Sequence, residues 1–407
     1  MPLPPALRYP NYRLYFFGQG LSVLGTWMQR VAMYWLVYRL SGSEFILGLS
    51  GFMSQIPVLL LGPLGGLIAD RANRRRVLVY TQALAMVQAA LLAWLTLRGQ
   101  VEVWHVLAMS GLLGIINALD SPLRQSFVVE MVTDRKDLPS AIALNSLTQT
   151  TGRLVGPSIA GVIIAVFSEG ACFAFNALSY LAVLCALLMM KIEPRPPRPA
   201  HGNAWDGLKA GAHYAWSHRP IRRLLALLSC MSLMAMPYTV MMPVYVDRVL
   251  KGGAHTMGYM LSAAGVGAVT GTLYLAMHKK VDRLPGLIAV SMTAAGGALV
   301  IFALSPWLYL AVAMMTIVGF GIIVTMASIN TIVQTVVDDT MRGRVMSFYT
   351  MSFLGVAPLG AITIGSLAQV TNVQFALAFG GFACVLAALH FMRGLPRLRE
   401  ALGESLK

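Results

Sequence analysis

The chain has 407 residues, of which 57% are hydrophobic and only 12% charged, and its net charge is +15. A soluble protein carries roughly a quarter charged residues, so this composition excludes a soluble module and implies a chain that crosses a bilayer repeatedly. The excess of base raises a nucleic-acid partner as an alternative, which the placement of the basic residues has to decide.

In chain order, residues 1–10 hold two consecutive prolines and no apolar core, so no cleavable leader is expected and the first span stays as an anchor. A helix needs roughly 20 apolar residues to cross the hydrocarbon core. Such runs occur at 14–38, 47–69, 77–97, 103–119, 141–166, 171–190, 222–246, 256–277, 286–304, 307–327, 345–369 and 373–392. They predict an all-α polytopic membrane protein with twelve transmembrane helices.

With both termini placed on the cytoplasmic side, the expected inward loops hold 25 of the 31 lysines and arginines, among them Arg71, Arg74, Arg75 and Arg76. The outward loops hold only Arg39, Arg98, Arg248 and Lys251, and Arg30 and Arg153 fall within spans. That asymmetry is the positive-inside pattern. It accounts for the charge without nucleic acid and sets both ends inside; the expected location is the cell (inner) membrane. Cys172, Cys185, Cys230 and Cys384 lie in apolar spans without ligand-like spacing, which predicts neither a metal site nor a disulfide framework.

The longest inward loop, 191–221, is basic and Pro-rich and sits near the midpoint. It divides the chain into a six-helix half at 1–190 and another at 222–407. A shift of 204 positions lays Asp134 on Asp338, Gly156 on Gly360 and Gly161 on Gly365. Two parallel six-helix repeats form a transporter plan, with substrate held near the midplane.

Three stretches carry a specific resemblance. Gly66-Leu67-Ile68-Ala69-Asp70-Arg71, followed by Arg74 and Arg75, resembles the loop 2–3 signature of the major facilitator superfamily. The resemblance implies that Asp70 meets the start of span eleven near Arg344, and that the arginines relay charge to close the cytoplasmic side. The plainer alternative is a positive-inside anchor. In the second half Leu275 replaces the acid while Lys279 and Lys280 remain. Gly152, Gly156, Pro157 and Gly161 form a G-x-x-x-G-P stretch, with Ala160 at a position the pattern gives to glycine. It resembles the span-five signature of proton-driven antiporters of that superfamily; close helix packing is the structural alternative. Asp120-Ser121-Pro122-Leu123-Arg124, with the segments after Gly25 and Arg342, resembles the exporter branch that includes enterobactin exporters. Pro122 argues for a loop contact between Asp120 and Arg124 that closes an inner gate.

Span one carries Gln19, Ser22, Thr26, Gln29 and Arg30 at helical spacing, and span five carries Asn145, Gln149 and Arg153. Polar stripes cannot face lipid, so these residues face other helices or a water-filled cavity; charge inside a span is costly, and two cations there point to a cavity that accepts anionic or electron-rich ligands, the alternative being that Arg30 and Arg153 each pair with a neighbour or a backbone carbonyl. Met234 and Tyr238 join it from span seven, whose methionines suit either a variable ligand or a lipid face. Every acid lies at or near a span end, leaving His105 and Asp247 as candidate proton carriers.

The reading is a monomeric, proton-coupled exporter of a siderophore or other amphipathic small molecule, with lipid around it and no cofactor beyond the gradient. A phosphate-binding G-x-x-x-x-G-K-[ST] loop is missing, which argues against a primary pump. The alternatives are a nutrient importer of the same fold, a non-transporting scaffold, or a lipid-acting membrane enzyme, for which no converging catalytic cluster is found.

Overall fold

A computed structural model describes residues 4–190, 204–277 and 281–395; within the helices, the side chains of Gly66, Asp70 and Arg71 are among those not described. All regular structure in this range is helical, as lipid demands: hydrocarbon offers the backbone no hydrogen bonds, so each span must satisfy its own. The helices are α1 (Pro10–Ser41), α2 (Glu44–Arg71), α3 (Arg74–Leu97), α4 (Val103–Met131), α5 (Leu138–Val166) and α6 (Glu169–Met189). They are followed by α7 (Ala204–Ser217), α8 (Arg219–Met234), α9 (Tyr238–Arg248), α10 (Ala254–Met277), α11 (Leu284–Leu304), α12 (Leu308–Val336), α13 (Asp339–Thr350), α14 (Ala357–Val370) and α15 (Val373–Met392).

Ten helical stretches in the described range are long and apolar enough to cross a membrane, against twelve expected. The remaining two expected spans, α1 and α5, have 32 and 29 residues, which is length enough to reach across, but both carry the polar stripes that lower their hydropathy. Two other expectations are corrected. Span four does not stop at 119: α4 continues to Met131 with Pro122 inside it. Span seven is two helices, α8 and α9, broken at Ala235–Pro237, where proline removes a backbone donor. The interval 191–221 contains the helix α7; its first part, residues 191–203, lies outside the described residues, as do Lys279 and Lys280.

Two compact units are present. One holds Met1–Gly42, Met53–Ala200 and Gly252–Ser262; the other holds Ser43–Phe52, His201–Lys251 and Ala263–Lys407. In the first, α1 packs on α5 and α6, and α3 on α4 and α6. In the second, α8 packs on α14 and α15, and α11 on α12 and α15. This is the same neighbour pattern twice, as the internal repeat requires.

Glycines set the closest crossings, because in lipid helices associate through tight packing of small residues. A Cβ on Gly258 of α10 would lie 2.7 Å from the Pro157 carbonyl oxygen of α5, and one on Gly161 would lie 2.8 Å from that of Ala254. In the other unit a Cβ on Gly48 of α2 would lie 2.6 Å from the Ala361 oxygen of α14, and one on Gly365 would lie 2.8 Å from that of Glu44. The 204-residue repeat is therefore visible as one crossing built twice. Between α13 and α14 the chain makes a π turn at Met351–Gly355, and Ser232 of α8 donates its hydroxyl to the Phe353 carbonyl there. Such turns free backbone carbonyls and recur at functional places in helices.

Candidate functional site

The polar chemistry of the first unit gathers at three places along α1, α3, α4 and α5. Asn73 caps α3, its side chain accepting from the Arg76 amide at 3.1 Å, so Arg74 and Arg75 fall in the first helical turn. Cations there oppose the helix dipole, and each has a partner that offsets this. Arg74 pairs with Glu130 of α4 at 2.7 Å. Arg75 donates to the Leu187 and Leu188 carbonyls at the end of α6, at 2.7 and 2.8 Å, where free carbonyls carry the negative end of that helix dipole. These contacts tie α3 to α4 and α6 within one unit. The expected partner contact of Asp70 lies outside the described residues, together with Gly66 and Arg71. Arg344 is exposed, and its Cβ lies against Gly211 of α7.

Asp120 is not in a loop. It lies 17 residues into α4 with 11 still to follow, and only 1% of its surface is exposed. A helix accommodates Pro122 here, so Asp120 and Arg124 form an i,i+4 ion pair on one face. Thr81 and Gln82 of α3 donate to the other carboxylate oxygen at 2.9 and 2.7 Å. Around this pair three buried polar atoms have no partner: Arg124 Nε, Gln82 Oε1 and the hydroxyl oxygen of Tyr15. Orphaned buried polar groups are few in native proteins, and each calls for an explanation. The expectation that every acid sits near a span end therefore fails for Asp120. Sequence reading assigned it to an inner-gate loop contact with Arg124, because the apolar run stops before it and Pro122 pointed to a loop.

The predicted proton carriers are placed otherwise. His105 belongs to the capping of α4, its Nδ1 accepting from the Glu102 amide at 3.1 Å while its ring stacks on Trp104. Asp247 is exposed near the end of α9. Two further acids that sequence reading passed over are buried at helix starts. Glu169 of α6 takes Arg39 of α1 at 2.8 Å, and Glu44 of α2 takes Arg248 of α9.

The predicted cavity residues divide. Gln29 is buried in a chain of amides, donating to Gln88 at 2.9 Å and accepting from Asn176 at 2.6 Å; it holds α1, α3 and α6 together and is not a ligand-facing group. Gln19 is buried as well. Thr26 is half-buried and lies 3.5 Å from the Tyr180 hydroxyl. Gln149 is exposed, and Asn145 Oδ1 is a further buried acceptor without a partner. Met231, Met241 and Met242 are fully buried, so this part of the methionine stripe is core rather than lipid face; Met234 is half-buried and Tyr238 buried at the break between α8 and α9. Arg30 and Arg153 converge from α1 and α5 on one side chain, with guanidinium carbons 4.6 and 5.3 Å from the centre of the Trp27 ring. No group of three or more His, Cys, Asp or Glu among the described residues is placed to hold a metal ion.

Comparison with known proteins agrees with this architecture. The staphyloferrin A transporter of Staphylococcus aureus is 25% identical over 397 residues, covering 96% of this chain and 98% of that protein. The multidrug efflux pump Tap of Mycolicibacterium fortuitum is 25% identical over 94% of this chain and 93% of its own length. The enterobactin exporter EntS of Shigella boydii is 23% identical over 96% and 93%. Among solved structures, a peptide transporter POT in complex with sulfate superposes with a TM-score of 0.76 at 14% identity, covering 96% of this chain and 95% of that one. A bacterial homologue of the human lysosomal transporter Spinster gives 0.70 at 14% identity over 99% and 98%. The family described as transmembrane secretion effector matches residues 2–405. This multi-pass membrane chain belongs to that family of transporters, within the major facilitator superfamily.

Proposed function

We propose that the protein is a proton-coupled exporter of the cell inner membrane, with both termini in the cytoplasm, moving a siderophore or another amphipathic small molecule by alternating access. The observation that carries the coupling is the buried Asp120–Arg124 pair with its unpartnered surroundings. Ionised, Asp120 satisfies Arg124, Thr81 and Gln82 at once. Protonated, it gives up the ion pair and leaves the half-buried Arg124 in need of another partner, so proton binding shifts the packing of α4 against α3. A few kcal/mol of differential interaction suffices to shift the populations of two states. Tyr15 of α1, whose hydroxyl oxygen has no partner, is the titratable neighbour on the third helix. Relatives that carry siderophores and drugs support the cargo class, and no ATP-binding loop in the sequence competes with the gradient as driving force.

The test is efflux of a catecholate siderophore and of a fluorescent amphipathic panel from proteoliposomes under an imposed pH gradient. Wild-type flux should follow the gradient. In Asp120→Asn it should cease to follow the gradient while downhill exchange persists, and Asp70→Asn should slow every mode. Gradient-driven export that survives in Asp120→Asn would overturn the coupling site. Accumulation of cargo against the expected direction would favour an importer, and no flux at all would favour a scaffold.

A further inference from the structure

We infer that the start of α8 and the end of α15 form a binding site for an anionic phospholipid, its phosphate held by Arg222, Arg223 and Arg393 and its acyl chains laid along the exposed ridge of α15. The two helices pack on each other in the second unit. Gly394, just past α15, lies so close against the Arg223 guanidinium that no side chain would fit there. That close approach puts Arg223 of one helix and Arg393 of the other at the same end of the bundle. Arg219, Arg222, Arg223 and Arg393 are all exposed, and none has an ion pair among the described residues. Neither helix contains an aspartate or a glutamate.

The cations of α8 are placed where an anion is needed. Arg219, Arg222 and Arg223 stand three and four residues apart on one face, where like charges repel. They also occupy the first turns, where cations oppose the helix dipole, and the His218 side chain gives that helix end no cap. Arg393, by contrast, agrees with the dipole at the C-terminal end of α15. Arg222 lies over the Trp216 ring, 5.6 Å from its centre, and donates to the Trp216 carbonyl at 3.4 Å. Trp216 is 73% exposed, and tryptophan is enriched where a protein meets the membrane–water interface. A phosphate beside these arginines relieves their mutual repulsion and takes their N–H groups in the bidentate geometry that guanidinium favours.

The apolar half of the site lies on α15. Phe375, Phe379, Phe382, Leu386 and Leu389 are exposed and recur at steps of three and four, so they form one ridge, and Arg393 is its next member. At 1.5 Å per residue the ridge rises about 27 Å from Phe375 to Arg393, close to the roughly 30 Å of hydrocarbon in a bilayer. From Phe382 the rise is about 16 Å, the depth of one leaflet. A ridge of that length ending on a cation suits an acyl chain joined to a phosphate, whereas a soluble phosphate would use the cations alone. Basic pockets between transmembrane helices hold anionic headgroups in the same way.

The inference takes from the proposed function only the leaflet that this end faces, and the experiment reads neither leaflet nor transport. Delipidated full-length protein in a neutral detergent is equilibrated with equal amounts of dioleoyl phosphatidylglycerol and dioleoyl phosphatidylcholine, and the retained lipid is extracted and quantified. Wild type should favour phosphatidylglycerol by at least about fivefold, and by less as salt rises. In Arg223→Gln/Arg393→Gln the preference should fall to within about twofold of parity, while Arg223→Lys/Arg393→Lys, which keeps the charge without the planar fork, should be intermediate. Arg8→Gln/Arg13→Gln removes the same charge from exposed arginines elsewhere and should keep the wild-type preference. A large excess of glycerol 3-phosphate should not displace the bound lipid. Monodispersity and an unchanged Tm establish that each variant is folded. Parity in wild type, an unchanged preference in the folded Arg223→Gln/Arg393→Gln variant, or an equal loss in Arg8→Gln/Arg13→Gln would overturn the site. Displacement by glycerol 3-phosphate would overturn the lipid as its occupant. A failed efflux assay sinks the exporter reading and leaves the lipid preference intact.

Discussion

The crossing of α5 with α1 and that of α14 with α8 occupy equivalent places in the repeat, yet they carry different chemistry. A Cβ on Gly156 would meet Trp27, whose ring holds two arginines, whereas one on Gly360 would lie 2.4 Å from the Leu233 carbonyl beside Met234. One crossing spends its small residue on seating an aromatic side chain, the other on bringing two backbones together. Duplication thus preserved helix geometry and left side-chain chemistry free to diverge. The Asp120–Arg124 pair belongs to the first unit too, while the positions 204 residues on in the second unit, Val324 and Ser328 of α12, are buried without charge.

If polar function is concentrated in the first unit, breaking its buried pair should have the largest effect. Arg124→Gln would leave Asp120 a buried carboxylate without its cation, at a cost of about 3–5 kcal/mol. The double variant Asp120→Asn/Arg124→Gln should recover much of that, as read from Tm in a double-mutant cycle. Next come the two glycine crossings. Gly258→Ala and Gly48→Ala should each cost about 1–3 kcal/mol, the range for overpacked cores, and by similar amounts if the crossings are equivalent. Gly297→Ala, with nothing within 4 Å of an added Cβ, serves as the control. The smallest effects belong to the pairs at helix starts, Glu169–Arg39 and Glu44–Arg248. Their arginines are 53% and 46% exposed while both acids are buried, and the helix N-termini they sit on take up part of their charge, so replacing either arginine by glutamine should cost about 1–2 kcal/mol. A larger loss from Arg248→Gln than from Arg39→Gln would show that the two pairs are not equivalent.

A different asymmetry appears outside the membrane. Tyr9 donates its hydroxyl to Asp137 at 2.8 Å, and that hydrogen bond raises its pKa above the ordinary tyrosine value. Tyr214 of α7 donates to Asp338 at 3.2 Å; there burial is the leading cause of the raised pKa. Both bonds anchor a segment flanking a helical bundle to an acid near the start of a later helix.

The hydrophobic pattern by itself determined that the chain is helical and that it crosses the membrane many times, because bilayer thickness and backbone hydrogen bonding leave few other solutions; the repeat was legible in the matched Asp and Gly positions 204 residues apart. The motif residues marked the superfamily. Helical spacing also brought out the polar stripes of α1 and α5, but it could not say which members face a neighbour and which remain open. Gln29 and Arg30 are adjacent in sequence, yet one is locked between Gln88 and Asn176 and the other lies over Trp27. Only tertiary structure decided that, since a side chain's partners come from helices distant in sequence. The same holds for Asp120: local rules read Pro122 as a break, whereas packing of α4 against α3 keeps the helix continuous and buries the acid with its arginine.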